Sequence, residues 1–124
     1  MFFRRDNTAQ AVLDALDHSL AIIEFTPEGK ILRGNTNFCA ALGYAPGEIA
    51  GQHHSLFVEP GYAQSEEYRA FWDKLRRGEF ESRQYLRIGK GGRRVWIQAT
   101  YTPVRGADGR VEKVVKVATD ITER

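Results

Sequence analysis

Two adjacent histidines, His53 and His54, are the most conspicuous chemical feature of this sequence. An imidazole is suited to ligate a haem iron or to hydrogen-bond a flavin near neutral pH. Adjacent residues point in different directions, so the pair is not expected to hold one metal together, and capping or bridging of local backbone is the favoured reading. Trp72 stands at helical spacing with Tyr68, Phe71 and Leu75, a stripe that fills core volume first and meets a ligand second. Asn37 is a polar residue near a helix start, which it either serves or leaves to pair with a ligand edge in the expected cavity. Tyr85 and Arg87 depend on strand register, because simple hydrophobic alternation turns Leu86 and Ile88 inward and leaves Arg87 solvated. An inward Arg87 would instead invite a carboxylate, phosphate or propionate.

Other patterns exclude chemistry. The glycines of Gly89-Lys90-Gly91-Gly92 lack the strand-to-helix context and the following Ser or Thr of a phosphate loop. No zinc spacing, nucleophile elbow or triad occurs, which argues against an enzyme. The 124 residues fit one domain, and a hydrophobic share of 42% with 27% charged residues is ordinary globular material. A formal charge of +2 is weak evidence for nucleic acid. No run of about 18 apolar residues exists to span a membrane, and Met1 to Asp6 lack the apolar run of a signal peptide. The lone Cys39 cannot close an internal disulfide, which fits a reducing cytoplasm.

The elements that must position these residues are legible in outline. Thr8 to Asp17 reads as a helix with Val12, Leu13 and Leu16 on one face, too short to be stable unpacked. Leu20–Phe25 and Lys30–Arg33 form a hairpin across Thr26-Pro27-Glu28-Gly29. Asn35 caps a helix that Gly43 ends, and Ala45 to Glu59 holds short helical turns. Ser65 caps a longer helix with Glu66 and Glu67 in its first turn, Arg76 and Arg77 in its last and Gly78 beyond, each charge complementing the helix dipole. Phe80–Ile88, Arg94–Val104 and Val111–Thr119 are strands. In the second of these Val95, Ile97, Ala99 and Tyr101 face a core, and Trp96 faces away. The order predicts an α+β fold, a five-stranded antiparallel sheet with helices on one face, preceded by a flanking helix over residues 1–19.

Four segments in this order resemble the PAS family: Gly34-Asn35-Thr36-Asn37-Phe38, Leu42-Gly43-Tyr44 through Glu48-Ile49-Ala50-Gly51, Gly89 to Trp96, and Asp120-Ile121-Thr122-Glu123-Arg124. The match spans about Leu20 to Thr122 and assigns residues 20–124 to a PAS sensor domain. Within the family, Gly51 to Pro60 and Glu67 to Leu75 are similar to PAS modules of methyl-accepting chemotaxis proteins, including soluble ones of biofilm dispersal and flavin-binding aerotaxis receptors. The resemblance implies a sensory domain of a bacterial signal transducer, responding to a small molecule, cofactor or redox state through its flanking helices. The rival readings are a ligand-free dimerisation module and the regulatory domain of a histidine kinase or cyclic-dinucleotide enzyme.

The same resemblance bears on individual residues. Haem b and FAD are the cofactors it brings in, with His53 or His54 as haem ligand and Trp72 packed on a flavin. Counted back from Trp96, the register of flavin-binding relatives turns Tyr85 and Arg87 toward the cavity. Cys39 lies outside the segment that a blue-light sensor uses for its flavin adduct, so it is a small buried hydrophobe. Asp120 and Thr122 are expected to relay the signal from the last strand. Val12, Leu13, Leu16 and Trp96 are expected to form a homodimer contact, and the full protein is expected to continue past Arg124.

Overall fold

The computed structural model describes the backbone of residues 2–122 and the side chains of residues 7–122. Helix α1, Phe2–Ser19, leads into strands β1, Ala21–Phe25, and β2, Ile31–Gly34. Helices α2 (Thr36–Leu42), α3 (Pro46–Ile49), α4 (Pro60–Ala63) and α5 (Glu66–Arg76) follow, with a 3-10 turn at His54–Phe57 between α3 and α4. Strands β3 (Glu81–Ile88), β4 (Arg94–Arg105) and β5 (Val111–Asp120) complete a five-stranded sheet ordered β2-β1-β5-β4-β3. All pairings are antiparallel, so the helical segment carries the chain from one edge of the sheet to the other.

The helices cover the face onto which Ile23, Phe25, Ile97, Ala99, Tyr101 and Val114 project, and all six are buried. Local chemistry sets the helix ends. The Asn35 side chain accepts from Phe38 N, the Ser65 side chain accepts from Tyr68 N, and Gly43 ends α2 in the left-handed region at φ 80°. At the β1–β2 turn, Gly29 has φ +92°, and a Cβ there would lie 2.6 Å from His53 Nε2. The apolar stripe of α5 is as its spacing predicts: Tyr68, Phe71, Trp72 and Leu75 are all buried.

Helix α1 behaves differently. Its end is held by amides of the α2 start, with Asn35 Nδ2 donating to the Leu20 carbonyl at 2.7 Å and Asn37 Nδ2 donating to the His18 carbonyl at 2.9 Å. Asn37 therefore serves the junction of α1 with β1, not the interior. Along α1 itself Val12, Leu13 and Leu16 are 54%, 58% and 44% exposed, and Trp96 on the open sheet face is 47% exposed. Helix and indole do not cover each other within one chain.

Candidate functional site

A chain of hydrogen bonds between side chains crosses the interior. Arg87 Nη2 on β3 donates to the Tyr101 hydroxyl on β4 at 3.0 Å. Tyr101 Oη lies 2.8 Å from His54 Nε2, and His54 Nδ1 lies 2.7 Å from the Tyr68 hydroxyl on α5. A neutral imidazole donates from one nitrogen and accepts at the other, so one of the two hydroxyls donates to His54 while the other accepts from it. Burial first, then electrostatic repulsion led by Arg87, holds the His54 imidazole well below 6.5, which keeps it neutral as this pattern requires. Burial likewise raises the phenols of Tyr68 and Tyr101. The chain joins a helix, a turn and two strands through groups that a dry interior makes costly to leave unpaired.

His53 and His54 have separate fates. His53 caps the 3-10 turn: its Nδ1 accepts from Ser55 N at 3.0 Å, and its Nε2 donates to the Glu28 carbonyl at 2.9 Å. His53 thus ties the 3-10 turn to the β1–β2 turn, whereas the His54 ring joins two buried tyrosine hydroxyls. Both nitrogens of each ring are engaged, so neither histidine presents a free lone pair for haem iron. Trp72 packs edge-on to Phe25 and His54, with centroids 5.7 and 5.4 Å away. It fills the core and does not line the open cleft described next.

That cleft, about 700 Å³, lies between α5 and β3. Val58, Tyr62 and Phe71 form its apolar wall, and Tyr85 and Arg87 enter it from the sheet. Of the six residues that the sequence offered as ligand contacts, Tyr85 and Arg87 are brought together here. His53, His54, Trp72 and Asn37 are not. Hydrophobic alternation fails on β3 because its register decides the matter: Tyr85 pairs with Ile97 and Arg87 with Val95, both inward. Arg87 is 3% exposed, with its guanidinium carbon 4.5 Å above the Tyr85 ring.

Sequence reasoning missed Lys116. This β5 lysine is fully buried, its Nζ lies 5.3 Å from the Phe38 ring centre and 4.8 Å from that of Tyr101, and it has no hydrogen-bond partner. Among the described residues the Tyr85 hydroxyl and Arg87 Nε are also buried without partners. Burial, then the charge of Arg87, holds the Lys116 amine well below 10.5.

Near the start of β4, the end of β5 is tied down. Trp96 N donates to Thr122 Oγ1 at 3.0 Å, Ile121 N donates to the Trp96 carbonyl at 2.8 Å, and Asp120 accepts from Thr122 N at 2.9 Å. Asp120 and Thr122 therefore fasten the end of β5 to the strand that also carries Tyr101.

Comparison with known proteins agrees with this architecture. Over 120 residues the chain is 42% identical to the biofilm dispersion protein BdlA of Pseudomonas aeruginosa, covering 97% of this chain and 29% of that protein. It is 26% identical over 125 residues to the oxygen sensor protein DosP of Escherichia coli, covering 97% of this chain and 15% of that one. The chain thus spans under a third of either relative. Among solved structures it resembles the PAS domain of a Colwellia psychrerythraea protein with a TM-score of 0.81 at 20% identity, covering 94% of this chain and 99% of that one. A light-oxygen-voltage domain studied with a flavin analogue gives a TM-score of 0.74 at 21% identity, covering 91% and 86%. Residues 13–124 match the PAS fold family, and the chain belongs to that family of sensory modules.

Proposed function

We propose that this chain is the sensory input of a bacterial signal transducer of the chemotaxis-receptor type, working in the cytoplasm and taking a small molecule in the cleft between α5 and β3. One observation carries this reading. Arg87, on the cleft wall, is bonded to Tyr101 of β4, and the same strand holds the chain exit through Trp96. A ligand that moves Arg87 acts on β4 and so on Asp120 and Thr122, which relay the change to whatever follows. No helix among the described residues is long and apolar enough to cross a membrane. Haem b and FAD belong to the ligand panel, but the engaged histidines and the core position of Trp72 favour a smaller occupant. Ala70 lines the cleft from α5, so Ala70→Trp fills it. In a thermal-shift screen with FAD and haem included, a ligand at about 100 times its dissociation constant is expected to raise the melting temperature by on the order of 10 °C. That effect should vanish in Ala70→Trp. A panel that leaves the wild type unmoved, or whose hits stabilise Ala70→Trp equally, refutes the reading.

Dimerisation accompanies sensing in this proposal, because α1 leaves Val12, Leu13 and Leu16 exposed and Trp96 stands open on the sheet. The chain is expected to sediment as a homodimer, and deletion of residues 1–17 or Trp96→Glu to give a folded monomer. Wild-type protein that stays monomeric at about 100 µM, well above a roughly micromolar dissociation constant, rejects it.

A further inference from the structure

Two buried basic groups of this protein have no acidic partner among the described residues. Arg87 and Lys116 are 3% and 0% exposed, and the buried carboxylate of Glu81 is already paired with Lys74 at 2.8 Å and Arg83 at 3.2 Å. Arg87 donates from Nη1 to the Leu86 carbonyl and from Nη2 to the Tyr101 hydroxyl, both neutral acceptors, and its Nε has none. Lys116 has rings for neighbours and no acceptor among the described residues. A guanidinium taken out of water against neutral partners is held at a cost of several kcal/mol that a counter-ion offsets.

The cleft supplies a place for that counter-ion. We infer that it takes a small organic carboxylate with an apolar body, whose carboxylate docks on the free side of the Arg87 guanidinium. The inference rests on the reading of this cleft as the ligand site. A carboxylate suits the planar fork, and Val58, Phe71 and Tyr85 offer an apolar or aromatic surface for the body of such a ligand, while the charged residues of the lining are of both signs. Around the mouth, Glu59 and Glu67 stand beside Lys74 and Arg77, so no large single-sign field draws in a dianion. Lys116 does not line the cleft, but its amine lies 4.8 Å from the ring centre of Tyr101, the residue that hydrogen-bonds Arg87. The groups that act on it are Arg87 from β3, Tyr101 from β4, His54 from the 3-10 turn and the Phe38 ring of α2, none of which is negative at neutral pH. A carboxylate on Arg87 supplies the missing negative charge, so binding takes up a proton from solvent onto the Lys116 amine.

Calorimetric titration with octanoate, octanol and inorganic phosphate tests this at pH 8, in two buffers of different ionisation enthalpy. Octanoate is expected to bind at least tenfold tighter than octanol, with uptake of up to one proton per site. Arg87→Met should weaken octanoate at least tenfold and leave octanol unchanged, and Lys116→Met should bind octanoate without proton uptake. Octanoate binding that is no tighter than octanol, or is untouched by Arg87→Met, overturns the carboxylate site while leaving the cleft as a ligand site. Phosphate binding tighter than octanoate overturns the choice of carboxylate. Octanoate binding without proton uptake by the wild type overturns the part of Lys116. If neither octanoate nor octanol binds, the reading of the cleft itself fails.

Discussion

Lys116→Met is expected to unfold with a free energy about 2 kcal/mol higher than the wild type near pH 7, a gain from removing a functional group. The amine sits with no hydrogen-bond partner between the Phe38 and Tyr101 rings, where an ammonium loses its hydration and meets no anion. Methionine has nearly the same length and volume, so the surrounding packing is kept. The pH dependence gives an independent signature. In the folded protein, burial and then Arg87 hold the amine well below 10.5, whereas in the unfolded chain it stays protonated up to about that value. Between the two values the unfolded state binds the extra proton. Wild-type stability therefore rises as pH climbs through that window toward 10.5, by up to about 1.4 kcal/mol per unit, and is lost as pH falls through it. Lys116→Met lacks this slope. Urea unfolding of both proteins at pH 7, 8 and 9 reads the two effects together. A variant less stable than the wild type, or one that keeps the slope, means that the amine is paired in solution.

Much of this arrangement was open to sequence reasoning, and the rest was hidden for physical reasons. The inward set Val95, Ile97, Ala99 and Tyr101 follows from alternation because its outward neighbours Arg94, Gln98 and Thr100 are polar. Alternation says nothing on β5, where Val114 and Ala118 face in while Val115 and Val117 face out. With valines on both faces, the inward position of Lys116 leaves no hydropathy signal. On β3 it points the wrong way, since Leu86 and Ile88 are the more apolar pair and yet face away from the core. Their register against β4 outweighs their hydropathy. The hydrogen-bonded chain did leave a trace. Tyr68 and Tyr101 were both assigned inward, and two buried phenols need partners, which His54 supplies between them. What no local pattern could provide is the meeting itself, because His54 and Tyr101 lie 47 residues apart. Asn37 shows the same limit: a polar residue at a helix start reads as serving that start or as a ligand contact, whereas its amide donates to the His18 carbonyl at the end of α1, a partner only tertiary structure supplies.

Tyr101→Phe tests the chain at its centre and is expected to lower the unfolding free energy by about 3 kcal/mol. The substitution removes one oxygen and leaves the ring in place, so little packing is lost with it. It takes an acceptor from Arg87 Nη2 and a hydrogen-bond partner from His54 Nε2, both buried, and each deprived group costs about 1–3 kcal/mol. Arg87 recovers part of its share from water in the cleft that it lines, whereas His54, with no exposed surface, does not. The loss should therefore fall mainly on the Tyr101–His54 bond, which a double-mutant cycle can isolate. If His54→Leu is made in both backgrounds, the damage of the second substitution is expected to be smaller in Tyr101→Phe than in the wild type, by about 1 kcal/mol or more. The midpoint in urea should shift with an unchanged slope, since the surface exposed on unfolding is the same. A Tyr101→Phe protein within about 0.5 kcal/mol of the wild type, or a cycle whose effects simply add, would show that the hydroxyl does not hold β4 to the helical layer. With that link gone, Arg87 keeps its backbone pairing with β4 at Val95 but has no side-chain bond to the interior chain through Tyr101 and His54.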